Sequence, residues 1–139
     1  MILNLYRELE KLALSHSSDI VKDSEVIYSP AGRARKLRLY LIDETFIDIW
    51  YNMDKYYSYH WEQRNVRDEV YRHDNAPHHK WRKIPTFPKH CHDRAENIVV
   101  KSTLPDDPKD ALVEFLSLVR KRLIELKQSK SCLLYTSDA

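Results

Sequence analysis

Six of the seven histidines in this chain, His60, His73, His78, His79, His90 and His92, fall between positions 60 and 92. The same span carries Arg64, Arg67, Arg72, Lys80, Arg82, Lys83 and Lys89, with Trp61, Trp81 and Phe87 among them. Imidazole gives and takes protons near neutral pH. Cationic side chains offset the negative charge that builds on a phosphate in a transition state. Flat rings offer a surface on which an unpaired base stacks. Together these are the parts of metal-independent RNA cleavage: a base for the ribose 2′-hydroxyl, cations for the phosphate and an acid for the leaving oxygen. The expected catalytic set is His60, His78, His79, Asp74 and Asn75. His60 and His78 or His79 exchange protons, and Asp74 and Asn75 shape the turn that aims them. Arg64, Arg72, His90 and His92 are expected to hold substrate. His73, within a strand pattern, reads as a sheet residue rather than a catalyst.

The densest piece is DNAPHHKWRKIPTFPKHCH, residues 74–92. Asp74-Asn75-Ala76-Pro77 is an Asx-type turn, which fixes the direction of His78 and His79. His90 and His92 lie two apart, so on an extended segment they point the same way. The same residues also suit a zinc site built from His78, His79, His90, Cys91 and His92. Their spacing matches no paired C-x-x-C pattern, and Lys80 and Lys89 place positive charge beside them. The expectation is therefore no metal and no cofactor. A non-catalytic surface for nucleic acid or a protein partner stays open as the alternative. A single glycine, Gly32, excludes a glycine-rich phosphate loop, and no G-x-S-x-G elbow occurs. Cys91 alone is a poor signal for a nucleophile.

The elements that must position these groups are legible from periodicity. Ile2, Leu5, Tyr6, Leu9, Leu12 and Ala13 recur at helical spacing, and SHSSD (15–19) ends that helix. Val26 and Tyr28 suggest a short strand before Pro30 and Gly32. Leu37, Leu39 and Leu41 alternate with polar neighbours, Asp43-Glu44 makes a hairpin tip, and residues 45–52 alternate again. Tyr57, Tyr59 and Trp61 share one face of a third strand, with Ser58, His60 and Glu62 on the other. Tyr71 and His73 oppose Val70 and Arg72 on a fourth. Residues 74–97 read as one long loop, because Pro77, Pro85 and Pro88 resist both helix and central strand. Residues 98–100 suggest an edge strand. Asp107 and Pro108 open a final helix whose apolar stripe is Leu112, Phe115, Leu116, Val119, Leu123 and Leu126. The fold class is α+β: an N-terminal helix, an antiparallel meander of four or five strands, a long His/Pro-rich loop and a C-terminal helix.

The chain has 139 residues, which fits one domain, here residues 1–131. Its last eight residues, CLLYTSDA (132–139), match the translation of a sequencing-library adapter and are set apart from the fold. Without Cys132, Cys91 has no partner, so no disulfide framework is expected. A net charge of +2 argues against a protein that coats DNA yet permits a local basic face. Apolar runs are too short to span a membrane, and the first residues lack a signal peptide's apolar core. A cytoplasmic location is expected.

Three blocks in order, YSYHWE (57–62), DNAPHH (74–79) and TFPKHCH (86–92), resemble the TumE family of toxin–antitoxin proteins. The resemblance covers residues 35 to 128. Lys80 to Ile84 separate the two histidine blocks here, and Lys89 stands where a histidine is common. On the matching positions the resemblance singles out His60, Asp74, Asn75, His78, His79, His90 and His92. It implies a prokaryotic toxin encoded beside a small helix-turn-helix antitoxin. Action on RNA rests on the residue chemistry above.

Overall fold

The computed structural model describes the backbone of residues 1–137 and the side chains of residues 1–129. Side chains of the tail at 132–139 therefore lie outside the described residues. Helix α1 (Ile2–His16) is followed by β1 (Val21–Tyr28), β2 (Ala34–Leu41), β3 (Phe46–Tyr51) and β4 (Tyr57–Glu62). A single turn, α2 (Arg64–Arg67), precedes β5 (Val70–Asp74). A loop with one 3-10 turn at His79–Trp81 then leads to β6 (His90–Arg94), β7 (Val99–Lys101) and α3 (Pro108–Ser137). All strands pair antiparallel with their sequence neighbours, so the meander is a single sheet in the order β1 to β7.

The sheet has seven strands rather than four or five. Two differences account for this. Strand β1 is longer than the pair Val26 and Tyr28 suggests, because VKDSE has little apolar alternation and is held by pairing to β2. Strand β6 falls inside the stretch expected to be loop. Pro88 sits just before it, so no proline interrupts the ladder, and β5 and β7 satisfy both of its edges. Polar His90 and His92 carry no hydropathy signal for a strand.

Period-two alternation gives the sheet two chemically distinct faces. On the inner face one cross-strand row runs Leu37, Ile49, Tyr59, His73, Cys91. A second runs Leu39, Ile47, Trp61, Tyr71. Tyr6, Leu9 and Ala13 of α1 and Ala111, Leu112, Phe115, Leu116 and Val119 of α3 bury against this face. Each large side chain removed from water here contributes about 1.5–3 kcal/mol. Phe115 contacts the rings of Tyr59, Tyr71 and His73, which fixes α3 across β4 and β5. The Asp107 side chain accepts the Asp110 N–H at 3.1 Å, capping α3 where the sequence places the cap.

Turns use more than glycine, asparagine and aspartate. Gly32 takes φ +80 between β1 and β2, but Glu44, Lys55, Asp68 and Arg94 also adopt positive φ. Hairpin closure and side-chain capping offset this local strain. At the β3–β4 turn, Asn52 Oδ1 accepts the N–H groups of Asp54 and Tyr56, both at 3.0 Å. Both long helices pack on the inner face, which leaves the outer face of β2, β3 and β4 without a covering layer.

Candidate functional site

On the outer face a single row crosses five strands: Arg38, Asp48, His60, Arg72, His92. Its first two members, Arg38 and Asp48, are an opposite-charge pair. Arg38 donates to both Asp48 oxygens, at 2.7 and 3.0 Å, and Lys36 joins them at 2.9 Å. Burial acts to raise the Asp48 pKa, but these hydrogen bonds overcome it and hold the carboxyl below its ordinary value. The Arg38 guanidinium also lies 4.1 Å over the Phe46 ring. A neighbouring row, Trp50, Ser58, Asp74, His90, follows the same strands.

The first row from Arg38 to Arg72, with Trp50 and Ser58 of the second, forms the floor of an open cleft of about 580 Å³. Arg35, Lys36, Arg38, Arg64 and Arg72 line it with Asp48 and Glu62, an excess of three positive charges. His60, Ser58, Phe46 and Trp50 complete the lining. Trp50 is 39% exposed although it lies within a strand, so its ring is presented to solvent. Burial first, and then the charge of Arg72, hold His60 below the ordinary imidazole pKa. Its Nε2 stands 3.4 Å from Glu62 Oε1. Glu62 is itself gripped by Arg64, whose hydrogen bonds lower its pKa to about 2.

Beside the cleft, beyond Arg72, lies a second and buried polar cluster. Asp74, His90 and His92 are only 7%, 1% and 4% exposed. His90 Nε2 is 3.1 Å from Asp74 Oδ1, and His92 Nε2 is 3.7 Å from Asp74 Oδ2. Asp74 also accepts Arg72 Nε at 3.0 Å and the Ala76 N–H at 3.1 Å, the latter closing the Asx turn expected from the sequence. Arg72 then forks onto Glu96 with two 2.8 Å bonds. Burial acts to lower the His90 pKa, but its hydrogen bonds to Asp74 and to the Pro88 carbonyl raise it overall. For His92 burial dominates and the pKa falls. The Trp81 indole covers the pair, with ring centroids 6.1 Å from His90 and 5.7 Å from His92.

The expected site residues therefore separate into three places. His60, Arg64 and Arg72 meet in the open cleft. Asp74, His90 and His92 meet under the loop. His78 and His79 are exposed on the loop itself, where His78 Nδ1 accepts the Lys80 N–H at 3.2 Å and its ring lies 6.4 Å from Trp81. Asn75 bridges: its Oδ1 accepts the Tyr57 N–H at 2.8 Å, and its Nδ2 donates to the Lys55 carbonyl at 3.0 Å. It ties the loop to the β3–β4 hairpin. Cys91 faces the core, away from His90 and His92, and burial pushes its thiol up to about 12. The five-residue zinc set is thus divided between two faces. His73 is buried between Ser102 Oγ (2.6 Å) and Tyr71 OH (2.9 Å), and burial holds its pKa down to about 4.

Sequence reasoning missed Arg35, Lys36, Arg38, Phe46, Asp48 and Trp50, which form the other wall of the cleft. The available signal was the outward phase of β2 and β3, the complement of the leucines and isoleucines read as core. Glu96 was missed because only folding brings it to Arg72.

No curated protein and no solved structure is significantly similar to the chain. The sequence profile of one family, described as toxin TumE, matches residues 9–123. That span takes in most of α1, all seven strands and the apolar stripe of α3 as far as Leu123. The chain belongs to the TumE toxin family.

Proposed function

We propose that this toxin cleaves RNA in the open cleft without a metal, with His60 as the base. The observation that carries this reading is the position of a neutral-leaning imidazole beside Arg72 within a lining that has three excess positive charges. His60 takes the proton of a ribose 2′-hydroxyl, whose oxygen attacks the adjacent phosphorus. Arg72 and Arg64 hold the phosphate oxygens, and the leaving 5′-oxygen takes its proton from solvent in the open cleft. Trp50 supplies a face on which a flanking base stacks. His78 and His79, at the loop surface, serve as further contacts to the strand. Membership of a toxin family implies a cognate antitoxin, and a helix-turn-helix protein encoded next door is the proposed partner. No helix among the described residues is long and apolar enough to cross a membrane. We place the protein's action in the cytoplasm, where RNA is available.

The test is incubation of purified protein with labelled RNA in the presence of chelator. Cleavage leaving 2′,3′-cyclic phosphate ends supports the mechanism. Intact RNA with a shifted mobility supports a non-catalytic toxin that binds its target. One observation favours that second reading. Arg38, Arg64 and Arg72 are already paired with Asp48, Glu62, Asp74 and Glu96, an arrangement that fixes cations as a rigid docking surface.

A further inference from the structure

The buried cluster beside the cleft has the makings of a different site. His90 Nδ1 lies 2.8 Å from the Pro88 carbonyl oxygen, and His92 Nδ1 lies 2.8 Å from that of Glu96. A carbonyl can only accept, so both Nδ1 atoms carry protons. Both Nε2 atoms are thereby turned toward one carboxylate, that of Asp74, with their lone pairs available once His90 is neutral. This is how proteins orient imidazole ligands: the second nitrogen is pinned to a backbone or side-chain acceptor, which fixes tautomer and ring angle.

We propose that Asp74, His90 and His92 hold a first-row divalent cation of the zinc class through the Asp74 carboxylate and two Nε2 atoms. Their donor atoms all lie within 4.8 Å of one another. Ligands at about 2.0–2.2 Å from a shared ion stand roughly 3.0–3.6 Å apart. The Asp74–His90 separation of 3.1 Å already meets this. The 3.7 Å from His92 Nε2 to the other Asp74 oxygen is too long for a hydrogen bond and is a gap that an ion bridges.

Charge allows the ion. Asp74 and Glu96 outnumber Arg72 at the cluster, so with neutral imidazoles it is net negative. The lysines that flank the motif in sequence turn elsewhere: Lys89 Nζ goes to Asp106 (2.7 Å) and the Leu104 carbonyl (2.9 Å), and Lys80 Nζ lies over Trp81 at 4.9 Å. On binding, the Nε2 proton of His90 is released to solvent. Three protein ligands leave the remaining coordination to water beneath Trp81. The ion ties β5 to β6 under the loop. It stands outside the cleft, so its occupancy and the RNA chemistry of His60 are read separately.

The experiment uses the purified full chain, stripped with chelator, desalted and titrated with Zn²⁺ alone. One equivalent of zinc is expected to survive desalting and to raise the thermal midpoint. Co²⁺ is expected to give a visible spectrum of an ordered nitrogen–oxygen site. His92→Ala and the near-isosteric Asp74→Asn should each weaken Zn²⁺ binding by about 100-fold or more, beyond the 10–100-fold typical of losing an outer partner. The His78→Ala/His79→Ala double variant should bind zinc as the parent does. Ring ¹⁵N shifts of the parent report the same point without any variant: the Nε2 signals of His90 and His92 must move together on titration. The proposal is overturned by less than a tenth of an equivalent retained with no thermal shift, by Nε2 signals that stay in place, or by zinc lost with His78 and His79 and kept without His92.

Discussion

His60 and Arg72 stand opposite each other on β4 and β5, the imidazole and the guanidinium sharing one end of the cleft. Burial and the guanidinium both disfavour imidazolium, so the ring is poised to accept a proton at neutral pH. Replacing His60 with Ala is expected to lower RNA cleavage by about 10²–10⁴-fold, the range for loss of a general base. The His78→Ala/His79→Ala variant should lose less than about tenfold. The pH profile supplies a second readout. A base must be unprotonated, so kcat/KM should be flat through neutrality and fall as pH drops through the depressed pKa of His60. An acid limb centred above the ordinary imidazole value would assign the base elsewhere.

Arg35 lines the same cleft, is exposed and makes no salt bridge among the described residues. It can therefore pair with phosphate without first giving up a carboxylate. Arg35→Ala should weaken binding of single-stranded RNA uniformly across sequences. Plotted as log affinity against log salt, the slope should shrink by roughly 0.7 for one lost contact to a single strand. Fluorescence anisotropy at several salt concentrations measures this. An unchanged slope would remove Arg35 from the interface.

Beneath the cleft, the Trp61 indole N–H donates to Thr45 Oγ1 at 2.8 Å, with both residues fully buried. Thr45→Val keeps the shape and removes both the acceptor for Trp61 and the donor to Asp43 Oδ1. The stranded N–H should cost about 1–3 kcal/mol of stability, read as a lower denaturant midpoint with an unchanged m-value. No direct effect on RNA affinity is expected while the protein stays folded.

Asn75 holds two backbone groups, Tyr57 N–H and Lys55 C=O, through one side chain. Asn75→Ala should cost about 1–2 kcal/mol for the two bonds, and faster hydrogen exchange should appear at the Tyr57 amide. Asn75→Asp keeps the acceptor for Tyr57 but cannot donate to Lys55, so its effect should fall between the parent and Ala. If Asn75→Ala instead left stability intact and abolished cleavage, Asn75 would belong to the chemistry.

Much of the element order of this protein was legible because its signals are local. The helical spacing from Ile2 to Ala13, the Asp107-Pro108 start of α3, and the alternation of Leu37, Leu39, Leu41 and of Tyr57, Tyr59, Trp61 each depend on a few neighbouring residues. Alternation also put His60 on the face opposite that of Trp61, and His90 with His92 on one side of an extended segment. Strand β6 was not legible. Two histidines around a cysteine have no apolar period, and three nearby prolines gave a stronger loop signal.

What the sequence by itself determined is which residues share a face and, outside the 74–97 stretch, which element carries them, since those follow from backbone repeat lengths. What only the tertiary structure decided is which of them meet. His60, Arg72 and His92 became neighbours, Asp74 met His90, and Glu96 met Arg72, while His78 and His79 stayed at the loop surface. Those meetings are set by cross-strand register and by the seating of Trp81 on the histidine pair. Both depend on contacts between residues far apart in the chain, which no local pattern records.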